Sequence, residues 1–490
     1  MFEKMTSSPN EEGRPDSDAA GGPVPAGLDG GPTGASSGAL PGGLGGATPG
    51  DPVPPGLGGA PPGGLPGAVP LRPGPRRADD RRVVVGSVVV AAGFLLVAAA
   101  AALARATGAE TLPPWLPLHL ALAGGASTAI SGVMPFFVAA LAAGHPAPVR
   151  LRVTAVALVA VGAAFVSVRG IVPSAALVPA IGGCVYLAGI GAVALSVRAS
   201  GRAGLMIRRP IVTAGYMLAL VNVSIGASLG TLAAAGWPPV LERWAELRPA
   251  HAWTNLLGFV SLVIVSTLLH FLPTVLGTRI VPRGSAVVAV LGTAVAAPLV
   301  VTGQLTGLQA VAGGGSVLAL VGAGALVLEA SRVYRARGTW TTDPGWHRMA
   351  SLGLLAGVGW FAVGTSLASA LVLAAGLGLL SAGEAWWSPL VAAPLAIGWV
   401  VQVLIGSWTH LLPSIGPGGP REHAVQREVL GRAATPRLVA LNLGVAMLAV
   451  GWPLGLGVAS GAGALLVAAT VVGSVGLAAS ALRVRARPTG

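Results

Sequence analysis

The sequence predicts an all-α integral membrane protein: about twelve transmembrane helices in three repeats of four, preceded by a disordered Gly/Pro-rich tail. Three observations carry that reading. Of 490 residues, 53% are hydrophobic and 10% charged, and mean hydropathy is +0.76; an ordinary soluble domain is roughly 25% charged. Apolar runs alternate with short Arg-bearing loops, and the runs approach the about 20 residues that a helical span needs. The basic residues also gather on alternate loops, which is the mark of membrane topology. The composition excludes a soluble globular enzyme. The single cysteine, Cys184, excludes a disulfide scaffold, an iron–sulfur protein and a Cys-based zinc site. A net charge of +13 scattered between apolar runs orients a membrane protein, so no nucleic-acid partner is expected.

Residues 1–80 form the first predicted region. Stretches such as Pro41-Gly42-Gly43-Leu44-Gly45-Gly46 bury too little apolar area to offset chain entropy, so this region reads as a disordered cytoplasmic tail. It has no apolar core before a small-residue cleavage site, so it is not a secretory signal. The membrane domain occupies residues 83–482.

Within that domain the predicted helices are, in order, Val83–Ala104, Trp115–Gly144, Val153–Val168, Val172–Val197, Ile211–Gly236, Ala250–Gly277, Ala286–Thr302, Leu305–Leu328, Met349–Gly376, Trp387–Ile415, Leu438–Trp452 and Val458–Leu482. They are called helices 1 to 12 below. Helices satisfy their own backbone groups in lipid, and Gly/Ala-rich faces let neighbours approach closely. The weakest break is Gly303-Gln304, between helices 7 and 8. With the N-terminus placed in the cytoplasm, 24 of the 30 basic residues fall in cytoplasmic segments beyond the extreme N-terminus. Four, Arg105, Arg169, Arg243 and Arg248, fall outside. A miscounted helix would scramble this division. The expectation is a multi-pass protein of the plasma membrane, in contact with the lipid bilayer and with both termini cytoplasmic.

Helices 2, 6 and 10 are predicted to be longer than the others, and they resemble one another. Helix 6 ends His270-Phe271-Leu272-Pro273, and helix 10 has the matching ending His410-Leu411-Leu412-Pro413. Helices 2 and 6 open alike, with His119 and His251. The two endings and the two openings are separated by nearly the same length of chain, and that length spans four helices. Self-similarity at a fixed spacing is the mark of an internal repeat.

The polar residues set the candidate chemistry. No Asp or Glu is expected deep in a span; Glu329 and Glu384 sit at predicted helix ends, which weakens a proton-coupled carrier. His145, His347 and His423 fall in predicted cytoplasmic loops. His119 and His251 should lie near the outer interface, and His270 and His410 near the inner one. Neutral imidazoles on facing helices can ligate haem iron or copper without placing charge in lipid, or they can simply meet headgroups and water. Asn255 and Gly258 share a face with His251: Asn255 would orient an imidazole or ligand, and Gly258 would leave room for a bulky group. Gln402 and Gly406 make a similar open stripe toward His410. Terminal tryptophans such as Trp115, Trp386 and Trp387 read as an aromatic belt. Cys184 reads as a small core residue, and Asn222 and Asn442 as interhelical hydrogen-bonding groups.

Twelve spans in fours, with histidines on helices 2, 6 and 10, resemble subunit I of the haem–copper oxidases. The segment His251-Ala252-Trp253-Thr254-Asn255-Leu256-Leu257-Gly258-Phe259, ending His270-Phe271-Leu272-Pro273, looks like a motif of oxidase-like membrane proteins. So does Gly398-Trp399-Val400-Val401-Gln402-Val403-Leu404-Ile405-Gly406 running into His410-Leu411-Leu412-Pro413. Similar pairs occur in a bacterial membrane family known as copper oxidases, some fused to a cupredoxin-type nitrite reductase domain. The nitric-oxide-response haem and copper membrane proteins are a more distant likeness. The resemblance implies haem and/or copper as cofactor and a cupredoxin-type or other redox partner. By position, His119 matches the helix-2 ligand of the low-spin haem, and His251 falls near the helix-6 copper ligand. The chain departs from the family on helix 10, which lacks an outer His-x-His, and on helix 7, which lacks histidine. Tyr186, Tyr216 and Tyr334 all lie off helix 6. The full oxygen-reductase ligand set is therefore absent. The resulting expectation is a haem- or copper-binding accessory, sensor or electron-transfer component of respiratory, copper or nitrogen-oxide metabolism, binding through His119, His251, Asn255, His270 and His410. The alternative is a permease for a small solute.

Overall fold

A computed structural model describes residues 75–484, apart from 109–110, 173–176, 203–209, 282, 340–344 and 382–388. Residues 1–74 of the predicted tail, together with Glu384, Trp386 and Trp387, lie outside the described residues. Twelve helices are long and apolar enough to cross a membrane, and there is no strand among the described residues. Helix 1 is Pro75–Ala106, helix 2 Trp115–Leu141, helix 3 Val149–Val168 and helix 4 Leu177–Arg202. Helix 5 is Pro210–Ala234, helix 6 enters at Trp244 and runs to Val275, helix 7 is Gly284–Thr306 and helix 8 Gln309–Arg335. Helix 9 is Trp346–Gly376, helix 10 runs from Pro389 to Ile415, helix 11 is Ala434–Gly451 and helix 12 Gly457–Leu482. The expected count holds, but the break between helices 7 and 8 falls at Gly307, not at Gly303-Gln304. Gly307 has φ +74°, a left-handed conformation that glycine adopts without a Cβ penalty. Gly303 stays helical, and a Cβ there would stand 2.2 Å from the Ala312 nitrogen; its small size serves packing, not a turn.

Burial sorts the helices. In its most apolar stretch, helix 6 is 94% buried and helices 2 and 10 are each 72% buried, while the other nine lie between 28% and 56%. Helices 2, 6 and 10 are thus the centre of the bundle. Length does not distinguish them, contrary to the expectation, since helix 9 has 31 residues and helix 8 has 27. What they share is a π-helical stretch: Leu120–Ala126, Leu256–Ser261 and Ala393–Val401. The three stretches touch one another, so the irregular turns meet on the bundle axis. π turns occur mostly as short insertions at functional places.

The repeat is written in the packing of these stretches. Gly124, Gly258 and Gly398 each lie beneath a side chain from the helix that precedes their own. A Cβ at Gly124 would meet Phe94 Cδ1 at 2.3 Å, one at Gly258 would meet Asn222 Cγ at 2.7 Å, and one at Gly398 would meet Trp360 Cγ at 2.5 Å. Helices 1, 5 and 9 therefore use the same socket on helices 2, 6 and 10. Gly258 leaves no room for a bulky ligand, since Asn222 fills the space; that expectation is corrected. Gly406 is not an open stripe either. It lies against helix 9, where its Cβ position is 3.4 Å from the Ala350 carbonyl oxygen.

The remaining pairs, helices 3–4, 7–8 and 11–12, form peripheral hairpins joined backbone to backbone. The Cβ position at Gly162 is 2.4 Å from the Tyr186 nitrogen, at Gly292 2.9 Å from Gly322 Cα, and at Gly444 2.9 Å from the Gly463 carbonyl oxygen. Lipid tails are as apolar as leucine, so such close contact, not water exclusion, holds membrane helices together. Cys184 departs from its expected core position and is exposed, because the packed face of helix 4 is taken by Gly182 and Gly183.

Overpacking at a rigid backbone contact costs about 1–3 kcal/mol. Gly162→Ala should therefore lower the unfolding midpoint in detergent. Gly86→Ala, where nothing lies within 4 Å of the added carbon, should leave it unchanged or slightly raised. Equal behaviour of the two variants would refute backbone-close packing of helices 3 and 4.

Candidate functional site

The basic residues define two ends of the bundle. The Arg-poor end carries the starts of helices 2 and 6, and here the structure brings His119 and His251 together. Their ring centroids are 5.9 Å apart and the planes are inclined by 10°. Trp115 stands edge-on to His119 at 4.9 Å, and Trp244 flanks His251 at 5.8 Å. Both imidazoles are half-buried.

Hydrogen bonding sets the tautomers. His119 Nδ1 lies 3.2 Å from the Trp115 carbonyl oxygen, and His251 Nδ1 lies 2.8 Å from the Gly226 carbonyl oxygen on helix 5. A carbonyl only accepts, so both Nδ1 atoms donate. In the neutral ring the lone pair then sits on Nε2. Asn255 Nδ2 is 3.3 Å from His251 Nδ1 but 2.6 Å from the His251 carbonyl oxygen. With Nδ1 already a donor, the amide N–H belongs to the carbonyl, and Asn255 braces the helix at the onset of its π turn. It also fills the space over Gly226, whose Cβ position is 2.5 Å from Asn255 Nδ2. Gly230 is the matching gap for the histidine, with a Cβ position 2.8 Å from His251 Cε1.

At the Arg-rich end, His270 and His410 belong to one chain of rings. His270 meets Phe137 at 5.0 Å, Phe137 meets Phe271 at 5.9 Å, and Phe271 meets His410 at 5.5 Å. Trp346 stacks on His410 at 5.2 Å and 10°. The Pro of the His-x-x-Pro ending explains this last contact. Pro413 has no N–H for the Thr409 carbonyl four residues back, and the Trp346 indole N–H donates to that carbonyl instead. His347 is not a solvated loop residue as expected; it lies in the first turn of helix 9, 4.2 Å from Trp346. Trp346 could not be tied to His410 from sequence, because the tie is a carbonyl on helix 10 that Pro413, far along the chain, sets free.

Other polar expectations also change. Glu329 is buried within helix 8 and not at its end, bonded by Arg283 at 3.3 Å, by Arg332 at 3.1 Å and by the Ser285 hydroxyl. Arg283 and Ser285 make this carboxylate a tie from helix 8 to the start of helix 7, while Arg332 holds it from helix 8 itself. Asn442 links helices as expected, accepting from Trp360 Nε1 at 2.7 Å and Gln402 Nε2 at 3.5 Å. Asn222 instead donates within its own helix, to the Leu218 carbonyl. On the axis, Trp399 Nε1 donates to Ser261 Oγ at 3.0 Å, and the mutual contact of the π stretches closes the bundle there.

The donor set decides what could bind. With each Nδ1–H spent on a carbonyl, both neutral rings keep a lone pair on Nε2. A haem does not fit: the π-turn glycines are covered by Phe94 and Asn222, and Trp115 and Trp244 press on the histidines. No cluster of three or more His, Cys, Asp or Glu side chains suited to a metal occurs among the described residues. No protein-family model matches the chain, and no curated protein is detectably similar to it.

The Pro413–Trp346 arrangement is testable by a double-mutant cycle. Trp346→Phe orphans the Thr409 carbonyl and should cost about 1–3 kcal/mol. In a Pro413→Ala background the ladder N–H returns, and the cost of Trp346→Phe should fall by about 1 kcal/mol. Strict additivity in unfolding measurements would show that the indole does not replace the missing bond.

Proposed function

We propose that this polytopic helical membrane protein holds a copper ion between His119 and His251. On this reading it is oxidase-like and serves respiratory, copper or nitrogen-oxide metabolism as an accessory, sensor or electron-transfer component. It sits in the plasma membrane with both termini cytoplasmic and exchanges electrons or copper with a cupredoxin-type or other redox partner. The single observation that carries the reading is the tautomer pair. Each Nδ1–H is spent on a backbone carbonyl, at 3.2 Å for His119 and 2.8 Å for His251. Metal-ligating histidines typically donate their other ring N–H in this way, which fixes the ring and raises its basicity. Imidazole suits copper, and two neutral ligands add no protein charge at a place where charge is costly. Copper, when bound, would supply one-electron chemistry. The ligand set does not extend to oxygen reduction.

The test is metal content after purification in mild detergent. Near one copper per chain is expected, with no Soret band. His119→Ala and His251→Ala should each abolish the copper, whereas His423→Ala, outside the spanning helices, should retain it. Absence of stoichiometric metal in the wild-type protein, or retention of it by both alanine variants, overturns the assignment.

A further inference from the structure

Helices 1 and 3 both start at the Arg-rich end and pack against helix 2. At that end the buried Arg152 guanidinium pairs with Asp80 and ties the two together. Further along they stand apart. Between them lies an open groove of about 370 Å³, walled by residues between Val90 and Val97 on helix 1 and between Ala164 and Val168 on helix 3. Leu120 of helix 2, only 6% exposed, is its floor. Small residues keep it open: nothing lies within 4 Å of the carbon that an alanine would add at Gly93, and Ala164 stands on the other wall.

Two features of the groove select its occupant. The first is a wall of hydrocarbon. Ser167 carries the one hydroxyl on it, and that hydroxyl donates to the Ala163 carbonyl at 2.8 Å. Val90, Val97 and Ile171 are 42%, 54% and 65% exposed, so the groove faces the lipid around the bundle. The second feature is a cation at the mouth. Arg169 caps the end of helix 3, between Val168 and Ile171 of the wall, and it is exposed. It is one of only four arginines on the Arg-poor side, and it forms no ion pair among the described residues. A guanidinium at the end of an apolar groove matches a phosphate joined to an alkyl chain. An apolar helix would fill the groove and leave that cation unanswered.

We propose that this groove binds one phospholipid from the leaflet on the Arg-poor side, its phosphate on Arg169 and one acyl chain between helices 1 and 3. The chain has a structural effect. Phe94 belongs to the groove wall and also covers Gly124, whose Cβ position is 2.3 Å from Phe94 Cδ1. Hydrocarbon in the groove packs on Phe94 from the lipid side and holds the ring on the π stretch of helix 2. The site uses neither His119 nor His251 and does not depend on any metal there.

The probe is dioleoyl phosphatidylglycerol, compared with dioleoylglycerol, which has the same chains and no phosphate. Native mass spectrometry of the full chain, stripped of lipid in mild detergent, counts the molecules bound. The first phosphatidylglycerol should bind about fivefold more tightly than the first diacylglycerol. Arg169→Gln should make the two equal, and Arg169→Lys should restore most of the difference. Gly93→Leu fills the groove where no atom resists it and should abolish the first site for both lipids. Gly86→Leu, equally unobstructed but outside the groove, should retain it. Equal phosphatidylglycerol binding by wild type, Arg169→Gln and Gly93→Leu overturns the proposal. Loss in Gly93→Leu with no effect of Arg169→Gln overturns it too, because the phosphate is then not held. So does a wild-type dimer that Gly93→Leu dissociates, since the groove then holds a second copy of the chain.

Discussion

The constraint on which the bundle depends is the closeness of helices 1, 5 and 9 to the π turns of helices 2, 6 and 10. Gly124, Gly258 and Gly398 have no side chain, and Phe94, Asn222 and Trp360 occupy the volume that a Cβ would take. In lipid no water is released when helices pair, so contact and hydrogen bonding must supply the association free energy. The glycine sockets supply the contact. In the third group they also set the bonding: Trp360 seated on Gly398 reaches Asn442 on helix 11, and Asn442 is within 3.5 Å of Gln402 on helix 10. A carbon added at Gly398 would displace the indole and disturb three helices together.

The two ends then diverge by charge. At the Arg-rich end, buried ions come with partners: Arg152 with Asp80 and the Ala147 carbonyl, and Glu329 with Arg283 and Arg332. A lone buried charge would cost several kcal/mol, so pairing is what permits these groups inside the helical packing. The Arg-poor end uses half-buried neutral histidines instead, with Nδ1 satisfied by backbone. A site built that way has ligand atoms to offer and no ion of its own to neutralise.

Much of this architecture was legible in the sequence. Hydropathy and the Arg division determine twelve helices because both follow from the cost of polar groups in lipid. The four-helix period shows in His270 and His410, and the pairing of His119 with His251 follows from topology. Other features depend on which neighbour arrives at a given backbone position, and composition does not encode that. Gly258 reads as an opening until Asn222 is seen to fill it. Gly303 reads as a break until Ala312 is seen to need its space. Glu329 reads as a helix end because Arg332 and Arg335 follow it, yet the helix continues through them. Cys184 reads as core because cysteine usually is, while the core face of helix 4 belongs to its glycines.

The register of the covered glycines relates His270 to His410. Twelve residues beyond Gly258 and Gly398 stand His270 and His410, and twelve beyond Gly124 stands Phe136. Five residues before Gly124 stands His119 and seven before Gly258 stands His251, while the matching positions before Gly398 are Ala393 and Val391. At the Arg-rich end one equivalent position carries Phe136, His270 and His410, whereas at the other end His119 and His251 stand at different distances from their glycines. Helix 6 alone contributes to both ends, and it is the most completely buried helix of the twelve. Between its two histidines lies the π turn. A shift along helix 6 would therefore be felt at both ends together, whereas helices 2 and 10 each carry a histidine at one end.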